Sequence, residues 1–246
     1  MSVVTENVQI AVGSEQMGGY LARPEGDATL PAVLVFMEIF GVNDHIRDVT
    51  RRVADLGYVA LAPDYFHRTG PGMELQYDDD GMAEGMGHLG QLQADQMVAD
   101  SEAAIAFLRA RSDVKGEHIG AMGFCIGGHM TYLTAASTGV KAAASFYGGG
   151  IAAPQGPGGG PSTVGKTGGI GGRILCLFGG QDSMIPEDQV NTIREALDAA
   201  GTNHEVVVYA DADHGFFCDQ RPTYNADAAA DAWQRVQGLF ASELGG

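Results

Sequence analysis

The sequence is poor in positive charge. Its 246 residues hold 14 Lys and Arg against 31 Asp and Glu, a formal net charge of -17. Nucleic-acid binding needs clustered cations for phosphate, and an anionic membrane surface needs them too, so both partners are excluded. It is also poor in cysteine. Cys125, Cys176 and Cys218 are an odd number without metal-type spacing, which fits free thiols in a reducing cytoplasm. The other residues that commonly hold metal add nothing. His45, His67, His88, His118, His129 and His204 show no paired ligand spacing, so no metal and no cofactor is expected. No apolar run reaches the length of a membrane helix. The opening "MSVVTENVQIAVGSEQ" has neither a basic start nor a long apolar core, so it does not read as a signal peptide.

What is present is a core-forming composition. Hydrophobic residues make up 45% of the chain, enough for one sizeable domain over residues 1–246. "NVQIAV" and "MGGYLARP" read as two antiparallel strands. "PAVLVFME" (31–38), "YVALAPD" (58–64), "HIGAMGF", "KAAASFYG", "RILCLFGG" and "HEVVVYAD" read as buried strands. Between them lie helical patterns: "HIRDVTRRVADLG", a long helix near 91–111, "IGGHMTYLTAAS", a helix near 186–200 and "NADAAADAWQRVQGLFASEL". Such alternation predicts an α/β fold, a mostly parallel central sheet with helices on both faces. Residues 148–172 break the pattern. They hold twelve of the 37 glycines and read as a long insertion loop, either a lid or a surface insertion.

The chemistry centres on "GFCIGG", residues 123–128. A strand, a glycine-flanked turn and a helix display the turn residue at the sheet edge, as the Gly-x-Ser-x-Gly elbow does for serine. Here the displayed residue is Cys125. Alone, such a cysteine is as often a small buried hydrophobe. Asp182 follows "RILCLFGG" and His214 follows "HEVVVYAD". Both stand just past strand ends, where open α/β sheets place their sites. His214 can take the thiol proton, and Asp182 can orient the imidazole. Asp213 is a rival acid, but adjacency to His214 makes pairing awkward. Glu38 ends its buried strand and either faces water or enters the site; in the second case the Ile39 N–H joins that of Ile126 as an oxyanion donor. Cys176 reads as core; Cys218, in the loop after His214, either lines the site or is exposed loop filler.

These residues resemble a known family, the dienelactone hydrolases (carboxymethylenebutenolidases) of the α/β-hydrolase fold. The resemblance is carried by "MEIFG" (37–41), "PDYFHR" (63–68), "GFCIGG", "GGQD" (179–182) and "DHGF" (213–216). It implies a Cys-His-Asp triad of Cys125, His214 and Asp182, with Glu38 holding the resting thiol. It also implies lactone opening through an acyl-enzyme, in aromatic degradation. Arginines that grip a substrate carboxylate match Arg68 and, later than in better-known members, Arg221. The expected partner is a carboxylated lactone or ester, and the expected assembly a monomer. A broader esterase of the same fold, or a non-catalytic binding protein on this scaffold, are the competing readings. A dinucleotide-dependent reductase is excluded, because no Gly-x-Gly-x-x-Gly follows an early strand.

Overall fold

The computed structural model describes residues 2–245. β1 (Val3–Val12) and β2 (Glu15–Pro24) form an antiparallel hairpin at one edge of the sheet. β2 pairs antiparallel with β4 (Val59–Pro63), and from there every pairing is parallel. β3 (Leu30–Phe36), β5 (Val114–Phe124), β6 (Ala142–Phe146), β7 (Arg173–Gly179) and β8 (His204–Tyr209) complete an eight-stranded sheet of order β1-β2-β4-β3-β5-β6-β7-β8. The central strands are apolar without alternation because helices cover both their faces.

Those helices are α1 (Asp44–Asp55), α2 (Asp79–Leu89), α3 (Ala94–Arg109), α4 (Ile126–Ser137), α5 (Glu187–Ala200) and α6 (Ala226–Leu244). α1 meets α6 where the Arg52 guanidinium lies 4.4 Å over the Trp233 ring. α3 meets α4 through the Ser101 and Thr134 hydroxyls, 2.8 Å apart. No helix among the described residues is long and apolar enough to cross a membrane.

Two regions depart from the sequence pattern. α2 is a helix that the pattern does not announce, because Gly81, Gly85 and Gly87 interrupt any apolar stripe. A cap starts it instead: Asp78 Oδ1 accepts the Gly81 N–H at 2.8 Å, and Asp79 and Asp80 face the positive helix end. The glycine-rich segment is not featureless either. It forms 3-10 turns at Pro157–Gly159 and Thr163–Gly169. Side chains of α4 hold it down. His129 contacts the Gly149 carbonyl at 2.8 Å and the Thr163 hydroxyl at 2.7 Å, and the Tyr132 hydroxyl bonds that of Thr167 at 2.5 Å.

Candidate active site

The site gathers at the C-terminal ends of β3, β5, β6, β7 and β8. β5 runs into α4 through Cys125, whose φ of 56° is one of two positive values at non-glycine residues among those described. The neighbours explain why glycine flanks it. A Cβ on Gly123 would lie 2.3 Å from the Gly127 carbonyl oxygen, and one on Gly127 would lie 2.4 Å from that of Met37. Strand and helix therefore approach more closely than any side chain permits, and Cys125 takes up the strained angle between them. The other positive angle is at Tyr147, with φ of 35°, just past the neighbouring strand β6. Two strained residues side by side, each costing about 1–3 kcal/mol, mark a functional cluster.

Asp182 and His214 come from the turns after β7 and β8. Both are buried, and His214 Nδ1 stands 2.7 Å from Asp182 Oδ2. Asp182 Oδ1 accepts the Met184 N–H at 2.9 Å, which fixes the carboxylate plane. Asp213 bonds only the His214 backbone N–H, at 2.6 Å, so it is not the imidazole's partner. The far nitrogen, His214 Nε2, is buried and makes no hydrogen bond. Burial alone would lower the His214 pKa. The bond from Asp182 and the nearby Cys125 sulfur outweigh it and push the imidazole up to about 10. Once the thiol proton has moved to it, the imidazolium is thus held by both Asp182 and the sulfur left behind.

Glu38 lies in the same cluster, 1% exposed. Arg221 Nη1 donates to its Oε1 at 3.0 Å, while its Oε2 is buried with no partner. Arg221 reaches in from the loop after β8 because Gly215 leaves it room: a Cβ there would lie 2.5 Å from Nη1. The Phe40 ring lies 5.8 Å from its guanidinium carbon. Tyr147 is fully buried, its hydroxyl has no partner, and its ring stands 5.1 Å from that of His214. Burial raises its pKa first, and the charge of Glu38 adds to that. Glu38 Oε2, the Tyr147 hydroxyl and His214 Nε2 are therefore three orphaned polar atoms in one cluster with the Cys125 sulfur. Buried polar groups are normally satisfied, and unsatisfied ones gathered together imply a place for a polar guest.

Among the described residues, neither the Ile39 nor the Ile126 N–H has an acceptor. The two flank Glu38 and Cys125 in sequence. Arg68 has other partners. Its Nη1 and Nη2 donate to Asp100 at 2.8 and 2.9 Å, and its Nε stands 2.6 Å from Glu15. Cys218 is not the exposed filler that its loop position suggests. It is fully buried, and burial and Glu38 together push its thiol up to about 11. Cys176 is buried in β7, as expected of a core residue.

Tyr147 is the site residue that sequence reading misses. Its signal was slight: an aromatic just after a buried strand, followed by three glycines. Among the described residues, no cluster of His, Cys, Asp and Glu could hold a metal ion.

Comparison with known proteins gives the family and the fold. The family model described as the dienelactone hydrolase family matches residues 17–244. A provisionally named carboxymethylenebutenolidase of Synechocystis sp. is 45% identical, over 99% of this chain and 99% of its own. The carboxymethylenebutenolidase of Pseudomonas putida is 30% identical, over 95% of this chain and 94% of its own. Among solved structures, a provisionally named dienelactone hydrolase from Klebsiella pneumoniae superposes with a TM-score of 0.89 at 35% identity, covering 98% of this chain and 99% of that one. The fold is that of the α/β-hydrolases.

Proposed function

The chain belongs to the dienelactone hydrolase family, and we propose that it is a thiol hydrolase that opens a dienelactone-type lactone ring through an acyl-enzyme on Cys125. The observation that carries this reading is the strained thiol turn facing a buried His214–Asp182 pair whose Nε2 is unengaged. In the first step His214 Nε2 takes the thiol proton and the sulfur attacks the ring carbonyl. The carbonyl oxygen gains negative charge between the N–H groups of Ile39 and Ile126. The ring C–O bond then breaks. Its electron pair leaves on the enol oxygen, which takes the proton from His214. In the second step water gives a proton to His214 and adds to the thioester. The C–S bond breaks, the thiol regains the proton, and the acid is released. Asp182 holds the imidazole in the tautomer with Nε2 free and steadies the imidazolium between these transfers. Glu38, buried and anchored by Arg221, is the group we assign to hold the resting thiol. A reducing cytoplasm suits such a thiol.

A second reading, a carboxylesterase of broader range, is favoured by one observation. Arg68 and Arg221, expected to grip a substrate carboxylate, are both paired with protein carboxylates. The test is turnover of cis-dienelactone and of p-nitrophenyl acetate by the wild type and Cys125→Ala, with mass spectrometry of the quenched protein. The expected result is turnover, an acyl adduct on Cys125, and loss of both in the variant. Substantial turnover by Cys125→Ala would remove the thiol from the mechanism.

A further inference from the structure

We propose that Arg52 and Phe217 are positioning residues for the hydrolysis, holding the loop that carries His214 in register with the turn that carries Cys125. The inference rests on the thiol-hydrolase reading above and adds two residues that act through others.

The sheet shows why a brace is needed. Cys125 stands at the end of β5 and His214 past the end of β8, with β6 and β7 between those strands. Among the described residues, no backbone hydrogen bond runs from residues 214–224 to residues 123–128. The loop closes on itself instead: the Cys218 N–H donates to the Gly215 carbonyl at 3.0 Å, and the Arg221 N–H to that of Cys218 at 3.1 Å. Rings cross the gap. Phe217 is 3% exposed and stacks on Phe124, with centroids 5.2 Å apart and planes 21° apart. Phe124 directly precedes Cys125. The Phe217 ring also meets Phe146 edge-on at 4.9 Å, and Phe146 directly precedes the strained Tyr147. Phe124 and Phe146 are themselves 4.8 Å apart. One ring from the histidine loop therefore touches the neighbour of the thiol and the neighbour of the tyrosine. A shift of that ring is passed along a short stretch of chain to the imidazole.

Arg52 closes the stack from the other side. Its guanidinium carbon lies 5.2 Å from the centre of the Phe217 ring and 4.4 Å from that of Trp233. Arg47 and Arg51 on the same helix donate hydrogen bonds to Glu74 and Tyr20. Among the described residues Arg52 donates none, so its guanidinium is placed by the two rings. A cation over a ring face is held by the negative charge that the face presents. His45, also on α1, meets the Phe217 ring at 6.3 Å, so the helix holds that ring at two points. The cation thus ties α1, α6 and the histidine loop together. An apolar side chain of the same length would fill the space without attracting either ring.

The test compares Arg52→Met, which keeps an unbranched chain and loses the charge, with Arg52→Lys, which keeps the charge. The substrates are cis-dienelactone and p-nitrophenyl acetate. In Arg52→Met, kcat is expected to fall about tenfold on both, with KM held within about twofold, because base and thiol lose alignment while substrate binding is untouched. Arg52→Lys is expected to recover most of that loss. The His214 pKa, read by NMR titration, is expected to fall in Arg52→Met, because the imidazole draws away from Asp182 and the sulfur that raise it. Removal of a cation acting only through its field would raise it, so the sign separates position from charge. Trp233 is the one tryptophan of the chain, and its emission is expected to shift in Arg52→Met and return in Arg52→Lys. Phe217→Leu, made from the other side of the contact, is expected to lower kcat and the His214 pKa in the same directions. It also serves where Arg52→Met does not fold. Unchanged kcat in Arg52→Met, an equal loss in Arg52→Lys, a change confined to KM, or a rise in the His214 pKa would overturn the proposal. Turnover of neither substrate by the wild type, or undiminished turnover by Cys125→Ala, would instead overturn the thiol-hydrolase reading, and the inference would fall with it.

Discussion

The described residues include two buried histidine–aspartate pairs, and they have different fates. His214 and Asp182 stand 2.7 Å apart after β8 and β7. His67 and Asp100 stand 3.2 Å apart, between the loop after β4 and helix α3. Both pairs are excluded from water. In the second, Arg68 closes the carboxylate with two hydrogen bonds, so the acid, the base and a cation satisfy one another. In the first, Asp182 spends its other oxygen on a backbone N–H, and the outer imidazole nitrogen is left without a hydrogen bond, facing a strained thiol. A paired histidine and aspartate is thus not in itself an active centre. An unspent nitrogen and something reactive for it to act on are what distinguish one pair from the other.

Isosteric or truncating changes should separate the two pairs cleanly. The largest effect is expected from Asp182→Asn, which keeps the shape and removes the charge. Turnover should fall on the order of 10³–10⁴-fold, because the wrong imidazole tautomer is favoured. The His214 pKa should fall from about 10, since burial then acts with less opposition; NMR titration of the imidazole reads the shift. Far-ultraviolet circular dichroism should be unchanged. Asp100→Ala should do the reverse. It leaves Arg68 and buried His67 facing a void, at a cost of about 3–5 kcal/mol read from the urea midpoint, with kcat/KM held within about threefold. Matching losses of activity in the two variants would dissolve the distinction.

The smallest effect sharpens the contrast from the other side. His129 is buried and bonds a carbonyl and a hydroxyl rather than a carboxylate. Burial lowers its pKa, and the Gly149 carbonyl opposes this only in part. His45 is also lowered, by burial against the weaker pull of Glu38 and Asp219. A histidine depressed in the fold takes its proton first in the unfolded chain. Stability is then full above the ordinary value of about 6.5 and falls as pH drops through it. The melting temperature should therefore fall between pH 7 and pH 5, and His129→Gln should flatten part of that slope. A slope unchanged in the variant would remove His129 from the account. His214 has the opposite sign: a raised pKa adds stability below about 6.5, lost as pH rises through about 10.

Much of the fold was legible because its signals are local. Continuous apolar runs such as "PAVLVF" and "RILCLF" announce strands buried on both faces. The eight-stranded, mainly parallel sheet follows from their alternation with helices. The elbow at Cys125 was legible for the same reason, since a glycine on each side of the turn reports on close packing between adjacent elements. The pairing of Asp182 with His214 was legible from their places after strand ends, but the arginine partnerships were not. Glu38 and Arg221 are 183 residues apart, and only the folded path over Gly215 joins them. Arg68 lies in a motif that suggests substrate contact, but Asp100, 32 residues on, meets it. α2 was hidden because its glycines erase the apolar period, while its start depends on one aspartate cap.

The return of the glycine-rich segment to the sheet has a consequence for how this chain can vary. Tyr147 is fastened by its N–H to Leu177, and Cys125 by its N–H to Phe146. Residue 173 re-enters the sheet opposite Ala142. The positions of thiol and tyrosine are therefore set by the register of β5, β6 and β7, and not by the length of chain between β6 and β7. Residues 148–172 are a length of rope pinned at several points along a rigid frame. While Thr163 and Thr167 keep their hold on His129 and Tyr132, residues can be added to or removed from the rest of it without resetting the centre beside it.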